Sequence, residues 1–299
     1  MDQFRRIGLI SRKGSQQVLD TLVSLVSFLR ARGSEVVLES DTSLLLAELA
    51  SGIKISNREQ LGNHCDLVIV VGGDGSMLGA ARALCTQSVP VLGINRGSLG
   101  FLTDISPDEI EDRVGAVLSG KYSLEERFLL EAVLVRGTET IARGDALNEV
   151  VLHRGASLRM IEFALYLDDH FVYSQHSDGL VISTPTGSTA YALSGGGSIL
   201  HPALDAIALV PMFPHTLTSR PIVVAGNSLM RIVLGGIGLE DDRGSQPELS
   251  CDGQMHVSLQ AGDVVHVQKK VEKLQLVHPL DHNYYETCRT KLGWGSRLV

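Results

Sequence analysis

Leu67 to Val71 is an unbroken apolar run, rich in β-branched residues, and it leads directly into Gly72-Gly73-Asp74-Gly75-Ser76. A helical pattern follows to about Leu84. A strand with no polar alternation is one buried on both faces, as in a parallel sheet covered by helices. Parallel strands need crossover connections, so this one segment commits the N-terminal part of the chain to an α/β layer. It also places a glycine-rich turn beyond the carboxyl end of a strand, where ligands bind in open α/β sheets.

The surrounding pattern agrees. Ile7 to Ile10 reads as a buried strand, and Val18, Leu19, Leu22, Val23, Val26 and Leu29 recur at helical spacing before Gly33. Val36 to Leu38 is a second strand, Asp41 a candidate cap for a helix over 44–50, and Val89 to Ile94 a further strand. Ser106-Pro107 opens a helix with Asp108, Glu109 and Glu111 in its first turn. After Gly120 the pattern turns to strands and turns. Phe163 to Leu167 and Phe171 to Tyr173 flank Asp168-Asp169-His170 as a hairpin, and Ile222–Val224, Leu229–Leu234, Val257–Leu259 and Val264–Val267 are further strands. The expectation is a Rossmann-like parallel α/β domain over 1–121, a β-sandwich domain over 122–269, and a C-terminal strand and helix within 270–299 that return to the first domain.

Composition removes several classes. The 299 residues carry 34 acidic and 26 basic side chains, a net charge of −8, which argues against a basic nucleic-acid groove. With 44% apolar and 20% charged residues the chain is neither disordered nor a coiled coil. No stretch of about 20 apolar residues suggests a membrane span, and Met1-Asp2-Gln3-Phe4-Arg5-Arg6 does not read as a secretory signal. The four cysteines form no C-x-x-C pair, so they read as reduced thiols of a cytoplasmic protein rather than a zinc cage.

Three stretches are candidates for chemistry. Gly73, Gly75 and Gly79 match a dinucleotide fingerprint loosely, but the next strand ends in Ile94-Asn95-Arg96-Gly97 without the acid a dehydrogenase uses on the ribose. A carboxylate at Asp74 would repel a pyrophosphate. It makes sense as a general base, as a partner of bound magnesium, or simply as a turn or capping residue. Asn148-Glu149, ahead of Val150-Val151-Leu152, offers an amide and an acid that suit a ribose diol, though such a pair is also common in turns. Asp178 to Gly197 is almost uncharged and rich in hydroxyls and small residues, a composition fit for a nucleotide pocket in which Tyr191 stacks on a base, or for an ordinary Ser/Thr-rich loop. His176-Ser177-Asp178 holds triad residue types that adjacency forbids from acting as a relay. Arg12-Lys13 and Glu240-Asp241-Asp242 read as solvated turns, and the ten histidines show no metal spacing.

In combination these residues resemble the NAD kinase family, in its bacterial branch. The resemblance rests on Gly72-Gly73-Asp74-Gly75, Gly93 to Leu102, Asn148-Glu149, Asp178 to Gly197, Ser250-Cys251-Asp252-Gly253-Gln254 and Thr290-Lys291-Leu292-Gly293-Trp294. It implies transfer of the γ-phosphoryl of ATP to the 2′-hydroxyl of the adenosine ribose of NAD, with Mg²⁺ or a similar divalent ion bound with ATP. It also implies a homo-oligomer, dimer or tetramer, whose site draws on a neighbouring subunit. Carried over by position, Asp74 is the general base on the loop of Gly72, Gly73 and Gly75. Asn148 and Glu149 hold the adenosine ribose, and Asp178 reaches the nicotinamide side. Thr189, Ala190, Tyr191 and Ser194 line the adenine region, and Ala192 and Leu193 between them count among the cofactor-binding residues. Arg159 and Gln254 are further NAD contacts. His176 stands where many bacterial relatives carry Arg, and a bulky polar residue there goes with preference for oxidised NAD. A lipid kinase of the diacylglycerol or sphingosine type shares the glycine loop and is the alternative enzyme. A nucleotide-binding regulator without catalysis and an NAD-dependent dehydrogenase are the other classes in competition.

Overall fold

The computed structural model describes residues 2–11, 15–46, 50–97, 100–155, 159–236 and 246–294. Arg12-Lys13, Glu240-Asp241-Asp242 and part of the helix expected over 44–50 lie outside them. The chain divides into two compact units, Met1–Glu126 with Lys273–Val299, and Arg127–Glu272.

The first unit is the α/β layer. It runs β1 (Arg6–Ser11), α1 (Gln16–Ala31), β2 (Glu35–Glu39), α2 (Ser40–Leu46), β3 (Lys54–Ser56), α3 (Arg58–His64), β4 (Leu67–Gly72), α4 (Asp74–Leu84) and β5 (Val91–Asn95). The strands lie parallel in the order β5-β4-β1-β2-β3. All six residues of β4 are buried. Ile7 and Leu9 share a core with Leu22, Leu25 and Leu29 of α1. Gly8, pointing the other way, has room only for hydrogen against Leu61 of α3. Helices therefore cover both faces, which is the reason these strands read as continuous apolar runs. Each fully buried leucine contributes about 1.5–3 kcal/mol of transfer free energy. Helix α2 starts before Asp41: the Glu39 carboxylate accepts from the Thr42 N–H and hydroxyl at 3.0 and 2.9 Å and serves as the cap. After β5, a Ser106–Glu109 capping box opens a 3₁₀ turn, Pro107–Glu109. A π turn, Ile110–Val114, and α5 (Gly115–Leu118) complete the helical run expected there.

Among its described residues the second unit is all-β apart from one short helix and a 3₁₀ turn. It is built from β6 (Tyr122–Arg136), β7 (Glu139–Ala146), β8 (Glu149–His153), β9 (Ile161–Leu167), β10 (His170–Ser177), β11 (Gly179–Ser183), α6 (Tyr191–Ser194), β12 (Ala206–Met212), β13 (Ile222–Ala225), β14 (Met230–Leu234), β15 (Glu248–Cys251), β16 (Met255–Ser258) and β17 (Val264–Pro279). One layer is an antiparallel sheet in the order β13-β12-β11-β8-β15-β16. The opposing layer uses β6, β7, β9, β10, β14 and the first part of β17. Leu130, Phe163 and Ile232 from this layer meet Leu152, Leu180 and Leu209 from the first in one core. The expected hairpin is β9–β10, and both Asp168 and Asp169 take positive φ, as a two-residue turn of matching twist requires. Strands β8 and β11 are apolar on both sides because Val151 and Val181 pack with Ala192 and Leu200 on the outer face.

Strand β17 is one element where the sequence reads as two. Its middle, Lys269 to Lys273, is polar and largely exposed, while Leu274 to Pro279 is mostly buried. Leu276 and Val277 pair in parallel with β5, so the C-terminal segment adds a strand to the α/β sheet. Helix α7 (Tyr284–Leu292) follows, capped by Asn283, whose side chain accepts from the Tyr285 and Glu286 N–H groups.

Ile69 sits at 0% exposure in the middle of β4, whereas Val271 is 92% exposed on β17. Ile69→Ala is expected to cost about 2–5 kcal/mol, and Val271→Ala less than about 0.5 kcal/mol. Urea denaturation of both variants checks this contrast.

Candidate active site

In the first unit the site begins where β4 ends. Gly73 is the extended N-cap residue of α4, with φ −113° and ψ −172°, and Asp74 is the first helical residue. The Arg96 N–H donates to the Gly72 carbonyl at 2.8 Å and ties the loop to the end of β5. The Asp74 carboxylate is held by the loop after β5. Phe101 N–H donates to Oδ2 at 2.9 Å, Leu102 N–H to Oδ1 at 3.0 Å, and the Thr103 hydroxyl to Oδ1 at 3.4 Å. Two glycines permit this approach. A side chain at Gly100 would run into the carboxylate itself, and one at Gly93 into the backbone of Leu102 and Thr103. An ionised carboxylate has about four acceptor positions, so these three contacts leave one for a further donor.

In the second unit the candidate residues lie at the turn from β7 into β8. Asp252 lies in the β15–β16 turn with φ +51°, followed by Gly253 at +60°. Its carboxylate accepts from three consecutive N–H groups, those of Leu147 at 2.9 Å, Asn148 at 2.8 Å and Glu149 at 3.2 Å. The Asn148 carbonyl accepts from the Thr184 N–H at 2.9 Å, which fixes the turn from the other side. Glu149 is thereby buried at 8% exposure, and one of its oxygens accepts the Tyr191 N–H. Glu149 Oε2 and Asn148 Oδ1 are buried and have no donor among the described residues. Burial, and then the negative charge of Asp252, push the Glu149 carboxyl up to about 8.

Glu149, Asp178, Tyr191 and Asp252 line a cleft of about 480 Å³, with His153, Arg154 and Met212 among the other walls. Tyr191 and Ser194 also line an adjoining cavity of about 290 Å³, with Phe213 and Arg220. Asp178 is oriented by Arg154, whose Nε lies 3.3 Å from its carboxylate. The remaining candidates are placed differently. Thr189 and Ala190 form the half-buried turn between the Gly187–Thr189 3₁₀ turn and α6. Ala192 is fully buried in the packing behind α6, and Leu193 is half-buried beside it. Gln254 is exposed at the β15–β16 turn, and Arg159 is exposed before β9. His176 is exposed on β10, 3.8 Å from Glu162. None of these last three lines the cleft. Asp252, quoted above only as part of a motif, is the residue whose role the sequence reading did not assign. Its signal was an Asp-Gly turn, which by itself reads as loop chemistry.

Among the described residues two His/acid groups come close enough to share a cation, Asp104–His278–His282 and His153–Glu248–His256. In the second, His153 Nδ1 accepts the Gly155 N–H at 3.1 Å, so a neutral ring carries its proton on Nε2, the nitrogen nearest Glu248 at 3.8 Å. That nitrogen has no lone pair to give a metal. Neither group includes the glycine-loop residues.

Comparison with known proteins agrees with this architecture. The family profile described as ATP-NAD kinase N-terminal domain matches residues 7–122, and that described as ATP-NAD kinase C-terminal domain matches 147–279. An NAD kinase of Azotobacter vinelandii is 61% identical over 298 residues, covering 100% of this chain and 99% of the relative. An NAD kinase of Pseudomonas fluorescens is 60% identical, covering 100% and 98%. Among solved structures, yeast NADH kinase complexed with NADH superposes with a TM-score of 0.88 at 26% identity, covering 99% of this chain and 90% of that one. An NAD kinase from Archaeoglobus fulgidus in complex with ATP shares the fold at a TM-score of 0.73 and 23% identity, covering 95% and 99%. With both family profiles matched and relatives this similar along its whole length, the chain belongs to the NAD kinase family.

Proposed function

We propose that this protein transfers the γ-phosphoryl of ATP to the 2′-hydroxyl of the adenosine ribose of NAD, giving NADP and ADP. The observation that carries this reading is the pair of buried acceptors, Asn148 Oδ1 and Glu149 Oε2, that the described residues leave without a donor. A buried polar atom left unpaired costs about 1–3 kcal/mol. Two such acceptors suit the hydroxyls of a ribose diol, the 3′-hydroxyl donating throughout and the 2′-hydroxyl turning its one proton to Asp74 in the reacting complex. Asp178 and Tyr191, on the same cleft, supply an acid and an exposed ring for the rest of the dinucleotide. Thr189, Ala190, Ser194, Arg159, His176 and Gln254 remain proposed contacts.

Asp74 is the proposed general base. A sugar hydroxyl is a poor nucleophile, and a positioned carboxylate that accepts its proton contributes on the order of 10²–10⁴ in rate. The main-chain donors from Phe101 and Leu102 hold that carboxylate in one orientation, which reduces the entropy lost in reaching the reactive arrangement. A hard divalent cation such as Mg²⁺ takes oxygen donors and travels with a triphosphate. Asp74 is a carboxylate of the kind such an ion takes, but its one open position serves the ribose hydroxyl, so the ion would be held by the phosphates beside the glycine loop. Bound with ATP, the ion neutralises charge on the phosphates. The lipid-kinase alternative loses support because three acids, Glu149, Asp178 and Asp252, line the cleft, where an acyl chain would find no apolar entry free of charge. We also place the protein in the cytoplasm, where its four buried thiols stay reduced. We read Phe213 and Leu217, 78% and 96% exposed, as surface covered in a homo-oligomer.

The primary test is an end-point assay for NADP with protein, NAD, ATP and Mg²⁺, with ATP omitted as control; product in the control, or none with ATP, contradicts the reading. Asp74→Asn is expected to bind NAD within several-fold of wild type while turnover falls by roughly 10²–10⁴. Unchanged turnover in the folded variant removes Asp74 from the role. Glu149→Gln should weaken NAD by about 1.5–3 kcal/mol and leave ATP affinity nearly unchanged, as isothermal titration reads directly. The raised Glu149 carboxyl gives this residue a pH signature. In the free protein it is protonated below about 8, so NAD affinity is expected to rise with pH up to about 8 and then level off. For stability the sign is opposite. Between the ordinary carboxylate range and about 8 the folded state holds a proton the unfolded chain has lost, so Glu149 makes stability fall as pH rises. Above pH 8, Glu149→Gln is expected to melt higher than wild type; a lower melting temperature contradicts the assignment.

A further inference from the structure

We propose that Asp104, His278 and His282 are positioning residues that hold the Phe101–Thr103 loop against Asp74 and thereby orient the catalytic carboxylate; this rests on the kinase reading above. Asp104 directly follows the three residues that donate to Asp74. Its Oδ2 accepts from His278 Nδ1 at 2.9 Å and from His282 Nδ1 at 2.9 Å. The carboxyl is held down at about 2 by these two imidazoles against the cost of its burial, so it is ionised and only accepts. Both rings must therefore carry a proton on Nδ1. Hydrogen bonds of this charge-assisted kind are roughly twice as strong as neutral ones.

The cluster reaches the loop from the C-terminal segment. His278 directly follows Val277, which pairs with Leu92 of β5, and is 1% exposed. His282 lies in the turn before α7, and its neighbour Asp281 is bridged to Arg113 at 3.0 Å. The two rings stack with centroids 4.0 Å apart and planes inclined by 19°. On the far side Ile105 is pinned to β5, its carbonyl accepting the Asn95 N–H at 2.8 Å. Within the loop the Gly100 N–H donates to the Thr103 carbonyl at 3.2 Å. Thr103 is thus clamped between a tight turn and an anchored Asp104, and any rotation at Asp104 moves the donors that Asp74 faces.

The same three residues satisfy the proximity expected of a metal site, but each ring's Nδ1 donates its proton to Asp104 Oδ2 and so has no lone pair to give a cation. The arrangement is therefore a clamp rather than a ligand set.

The test compares Asp104→Asn, His282→Asn and His282→Leu, each alone and with Asp74→Asn, by turnover and by NAD dissociation constant. The amide of an asparagine reaches about where His Nδ1–H does, so His282→Asn serves as the conservative rescue. Displacing a reacting group by about 1 Å costs on the order of 10²-fold. Asp104→Asn and His282→Leu are accordingly expected to lower turnover by about 10- to 100-fold with NAD affinity within ~3-fold. His282→Asn should stay near wild type. In the Asp74→Asn background, Asp104→Asn should add no more than ~2-fold, because its effect runs through Asp74. Equal losses in both backgrounds, or NAD affinity falling as far as turnover, would overturn the cluster's role while leaving the kinase reading intact. Should Asp104→Asn fail to fold, the two His282 variants carry the same test. A wild-type protein that forms no NADP overturns both.

Discussion

One carboxylate, Asp252, receives three consecutive main-chain N–H groups, and the functional half of the sandwich depends on that interaction. It fixes the turn after β7, which carries Asn148 and Glu149, and Glu149 lines the cleft. The same interaction places a negative charge next to Glu149, so an acid that is already desolvated becomes harder to ionise. The two buried acceptors are thus held at a cost in stability, which under the proposed function a ligand with two hydroxyls would offset. This is the usual relation between a functional site and the fold that carries it, where unsatisfied or strained groups persist because the surroundings over-determine them.

The α/β unit repeats the device with different parts. Asp74 begins a helix, where its charge is favoured by the dipole, and each of its oxygens accepts a main-chain donor. Gly93 and Gly100 exist to let the two backbones meet around it. Asp104, bound by two histidines of the returning C-terminal segment, then restrains the donors. In both units a carboxylate orders a loop that irregular backbone alone would leave mobile.

Much of this was legible in the sequence, for physical reasons that differ by element. The buried strands of the α/β layer were plain because double-sided burial leaves no polar alternation. The hairpin at Asp168-Asp169 was plain because positive φ at both turn positions selects such residues. Other features needed the third dimension. β17 looked like two strands because Lys269 to Lys273 leaves the core while staying extended. Asp41 reads as a cap, whereas the Glu39 carboxylate, two residues earlier, takes the donor. Ala192 sits in a motif that reads as pocket wall, yet it has no exposed surface. Asp252 was visible only as half of an Asp-Gly turn, because its partners are more than a hundred positions away. Long-range side-chain-to-main-chain bonds leave no periodic trace, and they organise the candidate residues of each unit.

The central claim is that buried acceptors at Asn148 and Glu149 exist to receive the hydroxyls of an adenosine ribose. The direct measurement is the affinity for NAD against analogues lacking the 2′- or 3′-hydroxyl on that sugar, and against one lacking a hydroxyl on the nicotinamide ribose. The account predicts losses of about tenfold or more for the first pair, and a clearly smaller loss for the third. Equal binding of NAD and its adenosine-side deoxy analogues would contradict it.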